Sequence, residues 1–114
     1  MRHYVVLYTA PITAAERFKQ VTREEAQQGM QLWFDWKAKL SSGLVDLGKQ
    51  LGNAMKVTRA GVTKSDSPIV GMSILQANSM DEALDMVKNH HHLQWAEGAE
   101  ILVLEELPIP EMQD

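Results

Sequence analysis

Three short runs of this chain, His3 to Thr9, Ile69 to Ala77 and Ile101 to Leu107, carry apolar side chains at alternate and at intervening positions alike. An extended chain sends successive side chains to opposite faces. In the first run this puts Tyr4, Val6 and Tyr8 on one side and Val5 and Leu7 on the other. Neither side suits water, so these strands belong to a sheet whose two faces both need cover. One helix-period segment separates the last two runs. Such a strand, helix, strand unit needs a crossover, which makes its strands non-adjacent or parallel neighbours in one sheet.

Two capping boxes mark where the helices begin. In Thr22-Arg23-Glu24-Glu25 the threonine hydroxyl takes one orphan backbone donor and Glu25 reaches back to another. From there, at ~100° per residue, Ala26, Gly29, Met30, Leu32, Trp33, Phe34, Trp36, Lys37 and Leu40 share one broad arc, opposite Gln28, Gln31, Asp35 and Lys39. Ser41-Ser42-Gly43 ends this helix. Ser79-Met80-Asp81-Glu82 opens the second, with Ala83, Leu84, Met86 and Val87 on one face, and the pattern carries it to about His91. Ile12 to Gln20 reads as a connection anchored by Phe18 and Val21. Leu44 to Gly48 and Ala54 to Thr58 predict a bent hairpin or bulged strand. Gly61 to Pro68 predicts an exposed loop. Pro108-Ile109-Pro110 closes the last strand, and Glu111 to Asp114 form a frayed tail.

The order strand, helix, strands, helix, strand predicts an α+β, ferredoxin-like βαββαβ fold, an antiparallel sheet with two helices on one face. The other face is then bare yet apolar, beyond the few hundred Å2 that a soluble monomer shows. A second copy is expected to cover it, sheet against sheet, as a two-fold homodimer. With 114 residues the chain forms one domain. Its net charge of −4, with acids and bases intermixed, provides no basic stripe for nucleic acid or an anionic membrane surface. No apolar run approaches the ~20 residues of a membrane span. Met1 to Tyr8 is apolar for too few residues, and lacks the small-residue cleavage site, to be a signal peptide. Without cysteine there is no disulfide and no thiolate chemistry. A cytoplasmic protein is expected.

Tyr4-Val5-Val6-Leu7-Tyr8, the tract Gly43-Leu44-Val45-Asp46-Leu47-Gly48, the passage Gly71 to Leu84, and His92-Leu93 through Gly98 into Glu100-Ile101-Leu102-Val103-Leu104-Glu105 resemble the YCII-related family of the dimeric α/β-barrel superfamily. The resemblance spans nearly the whole chain. It implies a single YCII-like domain over residues 1–114 and a dimer of ferredoxin-like subunits, with no one activity attached. Some members carry a His-Asp pair. Matched through the Gly43 to Gly48 tract, its first position falls at Gln31 and its second near His90 to His92, so the pair is not carried over. The Asp-Gly-Pro-Phe turn of a related subgroup is replaced near Ser65-Asp66-Ser67-Pro68.

Several residues invite chemistry. His90, His91 and His92 suggest metal, but neighbours on a helix point ~100° apart and one ion needs converging ligands. The structural alternative continues the apolar face of Ala83 and Val87, and no metal site is expected. Lys37 lies within the aromatic arc, either as a buried ammonium or as a stem whose charge reaches water. Asp35 falls on the polar side, one turn from Lys39. Asp46 interrupts an apolar strand and must find a donor or line a cavity. Trp33, Trp36 and Trp95 can be core or flat walls for an aromatic ligand. No phosphate loop, nucleophile elbow or HExxH motif occurs. The leading expectation is a homodimer that binds a small organic molecule in a pocket between helix and sheet, lined by Trp33, Lys37, Asp46, His91 and Trp95. No cofactor is expected. A cofactor-independent monooxygenase- or isomerase-like enzyme, as the resemblance implies, and a non-catalytic structural or stress-associated protein with a filled interior are the alternatives.

Overall fold

The computed structural model describes residues 1–108, apart from the side chains of Ala14 and Phe18. The expected stop at Ile109 and Pro110, the tail Glu111 to Asp114 and the anchoring role of Phe18 lie outside the described residues.

Strand β1 (Arg2–Thr9) is central, as its doubly apolar sequence requires. It pairs antiparallel with β5 (Ile69–Ala77) on one side and with β6 (Glu100–Glu105) on the other. Strand β2 (Leu44–Gln50) flanks β5, giving the order β2-β5-β1-β6. A separate two-stranded sheet pairs β3 (Met55–Thr58) with β4 (Gly61–Lys64). The helices are α1 (Ala14–Lys19), α2 (Arg23–Leu40) and α3 (Met80–Val87), with short 3-10 turns at Ser41–Gly43 and His91–Gln94.

This is an α+β fold but not the βαββαβ ferredoxin-like plan: a second sheet interrupts the chain between β2 and β5, and three helices stand where two were expected. Local chemistry accounts for both departures. Thr58 pairs with Gly61 across the Arg59-Ala60 turn, and Gly61 adopts a φ of 135° that a side chain would resist. With β-branched residues on either side, the stretch read as a loop folds back as a hairpin. At α1, the Thr13 hydroxyl accepts the Glu16 N–H at 3.1 Å and caps a helix in the expected connection. The third helix stops at Val87, so the histidine run follows it rather than continuing it.

Helices α2 and α3 cover one face of the sheet. Tyr4, Val6, Tyr8, Leu75 and Ala77 of that face pack with Trp36, Ala83 and Val87 in a single core. The Trp36 indole N–H donates to the Met86 carbonyl at 3.0 Å, which ties α2 to α3. On the opposite face Val5, Leu7, Met72 and Ile74 are half-buried by their neighbours alone, and Leu102 and Leu104 are 51% and 48% exposed. The molecule is thin, 19 Å along its shortest axis, and its radius of gyration of 16.0 Å exceeds the ~13 Å of a compact chain this long. No helix among the described residues is long and apolar enough to cross a membrane.

Strand β2 is irregular, and its irregularity has a cause. Gly48 has a φ of 99°, its N–H is bound by the Asp46 carboxylate at 2.8 Å, and a Cβ there would lie 1.5 Å from the Met72 carbonyl oxygen. Gly48→Ala should therefore cost about 3 kcal/mol or more in a thermal or urea melt. Gly52, around which a Cβ would meet nothing within 4 Å, is the control. Its alanine variant should stay within about 1 kcal/mol of the parent.

Candidate functional site

The site grows from Tyr8. Its ring is buried between β1 and α2, with centroids of Trp33, His90 and His92 each 5.1 Å away. A buried phenol needs a partner for its hydroxyl, and Ser73 Oγ on neighbouring β5 lies 2.8 Å from it. Ser73 in turn donates to the Leu47 carbonyl at 2.6 Å. A carbonyl only accepts and serine owns one proton, so the chain has a single direction: Tyr8 donates to Ser73, and Ser73 donates to Leu47. Burial holds the Tyr8 hydroxyl well above the ordinary phenol range, with Ser73 opposing it weakly.

Beyond α3 the backbone turns extended at His90, whose Nδ1 accepts the His92 N–H at 2.9 Å and caps the following 3-10 turn. That bond places the His90 proton on Nε2, an atom that is buried and has no partner among the described residues. His92 Nε2 donates to the Thr9 carbonyl at 2.9 Å. His91 stacks on His90 at 4.1 Å and meets the edge of Trp33 at 4.6 Å, and its own Nε2 is buried and unpartnered. Burial pushes His90 down to about 3, helped by His91 and His92. Burial and His92 push His91 down to about 4. His92 is lowered too, again by burial first, against its backbone hydrogen bonds. These are neutral rings in an aromatic box. Among the described residues no group of three or more His, Asp or Glu side chains converges on a common point.

Beside this box opens a cleft of about 690 Å3, bounded by the first half of α2, the end of β2, the start of β5 and the His91–Gln94 turn. Trp33, His91 and Trp95 line it together. Lys37 does not: α2 buries Trp36 and half-buries only the stripe Ala26, Gly29, Trp33 and Leu40, and Lys37 is exposed beside it. Asp46 is also exposed and outside the cleft, its carboxylate engaged by the Gly48 N–H.

Three lining residues carry no motif. Arg17 on α1 donates from Nε to the Trp95 carbonyl at 2.6 Å and holds its guanidinium 5.9 Å above the Trp95 ring. Lys49 comes from the irregular end of β2. Gly29 sits mid-helix, and a Cβ there would meet nothing within 4 Å. A helical glycine is a sequence signal in itself, because it forgoes about 1 kcal/mol of helix stability against alanine. Compared with protein-family models and with curated proteins, the chain matches none.

The buried histidines make stability depend on acid. The folded-state value of His90, about 3, lies below the ~6.5 of an unfolded histidine, so the unfolded chain takes up the proton first. Its contribution is complete above that unfolded value and is lost as pH falls toward 3. At pH 5 the loss is about 2 kcal/mol for His90 alone. Urea melts between pH 8 and pH 5 should show this decline. His90→Asn, whose side-chain oxygen can still accept the His92 N–H, should make it shallower, with His91 and His92 keeping their own share.

Proposed function

We propose that this protein is a cytoplasmic homodimer that binds a small organic molecule in the cleft between α2 and the sheet, and that it is kin to the YCII-related proteins its tracts resemble. The observation that carries the binding reading is the cleft. Its volume of about 690 Å3 falls within the ~300–1,000 Å3 of ligand sites. Its aromatic walls, Trp33 and Trp95, come from opposite halves of the chain. The space beside Gly29 also favours a ligand over a purely structural role, whose interior would be filled.

Binding is favoured over proton chemistry for a reason of acidity. General bases work best with a pKa near the operating pH. His91, held down to about 4, is a weak base at neutrality, and the Tyr8 proton is committed to Ser73.

The homodimer is supported by the uncovered sheet face. Four strands of six to nine residues project roughly 400–500 Å2, and side-chain relief brings the accessible area toward the ~800 Å2 per partner of a standard interface. Its apolar residues pair in register, Val5 beside Leu104 and Leu7 beside Leu102.

Two measurements test these readings. Saturation-transfer NMR with fragment-sized aromatic molecules should detect binding to the parent and lose it in Gly29→Leu, whose side chain occupies the cleft. Undiminished binding to that variant overturns the site. Sedimentation at micromolar concentration should show a dimer that becomes a monomer when Leu102 and Leu104 are both changed to lysine. A parent that sediments as a monomer overturns the assembly.

A further inference from the structure

We infer that the ligand is an amphipathic acid, an apolar or aromatic body bearing one carboxylate, which Arg17 receives. The inference rests on the reading of the cleft as a binding site and names the chemistry of its occupant.

The charge census points first to an anion. The charged residues lining the cleft are Arg17, Lys49 and Glu25, a surplus of positive charge in a chain whose net charge is −4. Glu25 keeps its charge but spends its hydrogen bonding locally: its carboxylate accepts the Thr22 N–H at 3.1 Å in the capping box of α2, which with the more distant charge of Arg17 holds it below the ordinary carboxylate range. Neither Arg17 nor Lys49 forms an ion pair among the described residues. The three histidines, being neutral, add no cation.

Geometry then distinguishes Arg17 from Lys49. Arg17 is half-buried and held at two points, by the bond from Nε to the Trp95 carbonyl at 2.6 Å and by its position over the Trp95 ring. With Nε spoken for, the two terminal nitrogens form no ion pair among the described residues and remain as a fork of donors at the junction of this cleft with a neighbouring cavity of about 500 Å3 that Arg17 also lines, the chemistry that suits a carboxylate. Lys49 is exposed and flexible, a point charge that assists without orienting.

The remaining wall fixes the body of the ligand. Val21, Ala26, Trp33, Leu47 and Val70 are apolar, so the occupant is mostly hydrocarbon or aromatic ring. A multiply charged phosphate would need further donors, and the lining holds no glycine-rich backbone cradle to supply them. A cationic ligand would meet Arg17 and Lys49 with like charge.

The test is calorimetry or saturation-transfer NMR on the full chain with a matched series: 3-phenylpropionate, its neutral amide, and 3-phenylpropylamine. The acid should bind about tenfold or more tightly than the amide, the increment expected of a charge-assisted hydrogen bond, and the amine more weakly than either. Arg17→Met keeps a stem against Trp95 and removes the fork. It should weaken the acid several-fold more than the amide and so erase the preference for the acid, with a thermal melt verifying that the variant is folded. Lys49→Met should change acid binding far less. Equal affinity of acid and amide in the parent, preference for the amine, or acid binding that survives Arg17→Met overturns the inference while the cleft remains a binding site. Failure of all three compounds to bind the parent overturns the binding reading, and this inference with it.

Discussion

A phenol taken out of water does best when its proton finds an acceptor; the buried Tyr4 hydroxyl has none among the described residues, but Tyr8 does, and its bond links much of this structure. Tyr8 can place its proton only on Ser73, and Ser73 its own only on the carbonyl of Leu47. The sheet is thereby joined across three strands by side chains as well as by its ladders. The last link demands that β2 present a carbonyl toward β5 where a regular strand would not. Gly48, with its positive φ and its close approach to Met72, makes that presentation possible. The same irregularity sends Leu47, Gly48 and Lys49 into the wall of the cleft. Removing the Tyr8 hydroxyl would leave the Ser73 oxygen without its incoming donor in a buried setting, where an unmet polar group costs about 1–3 kcal/mol.

The three histidines show how a sequence that suggests metal can serve packing instead. Each ring has its own task. His90 caps a turn through Nδ1, His92 holds the end of β1 through Nε2, and His91 packs against both His90 and Trp33. Ring quadrupoles favour the edge-on contacts with Trp33 and Trp36 seen here. The arrangement leaves two N–H or lone-pair sites unmatched, at His90 and His91. Both rings stand beside the cleft that His91 and His92 line.

Much of this was legible in the residues. The alternation of β1 placed Tyr4, Val6 and Tyr8 on one face, the one the helices cover, and the capping box at Thr22 and the cap at Ser79 located α2 and α3, although at Ser79 only the serine half of the expected box forms and Glu82 turns to Asn78. Thr13-Ala14-Ala15-Glu16 repeats the same cap spacing and was open to the same reading. Lys37 falls inside the apolar arc yet outside the cleft, because an arc drawn from apolar residues alone is wider than the stripe one sheet can cover, and of its two readings the charge that reaches water is the one its exposure fits. Met30, Leu32 and Phe34 lie outside the buried stripe as well. Of the hairpin, β3 was legible as the extended Ala54 to Thr58, but β4 and its pairing were not, because both strands are exposed and no burial pattern marks them. Arg17 was beyond reach for a different reason: its partner, the Trp95 carbonyl, lies 78 residues away, and a backbone oxygen leaves no trace in side-chain pattern.

That hairpin differs in kind from the rest of the molecule. Strands β3 and β4 hydrogen-bond to each other, form a sheet of their own, and place no side chain in the core. The energies that hold Tyr8, Trp36 and the glycine bend of β2 do not pass through it. Its length and tip can consequently be altered, or made to carry a grafted epitope, with little cost to the core beneath.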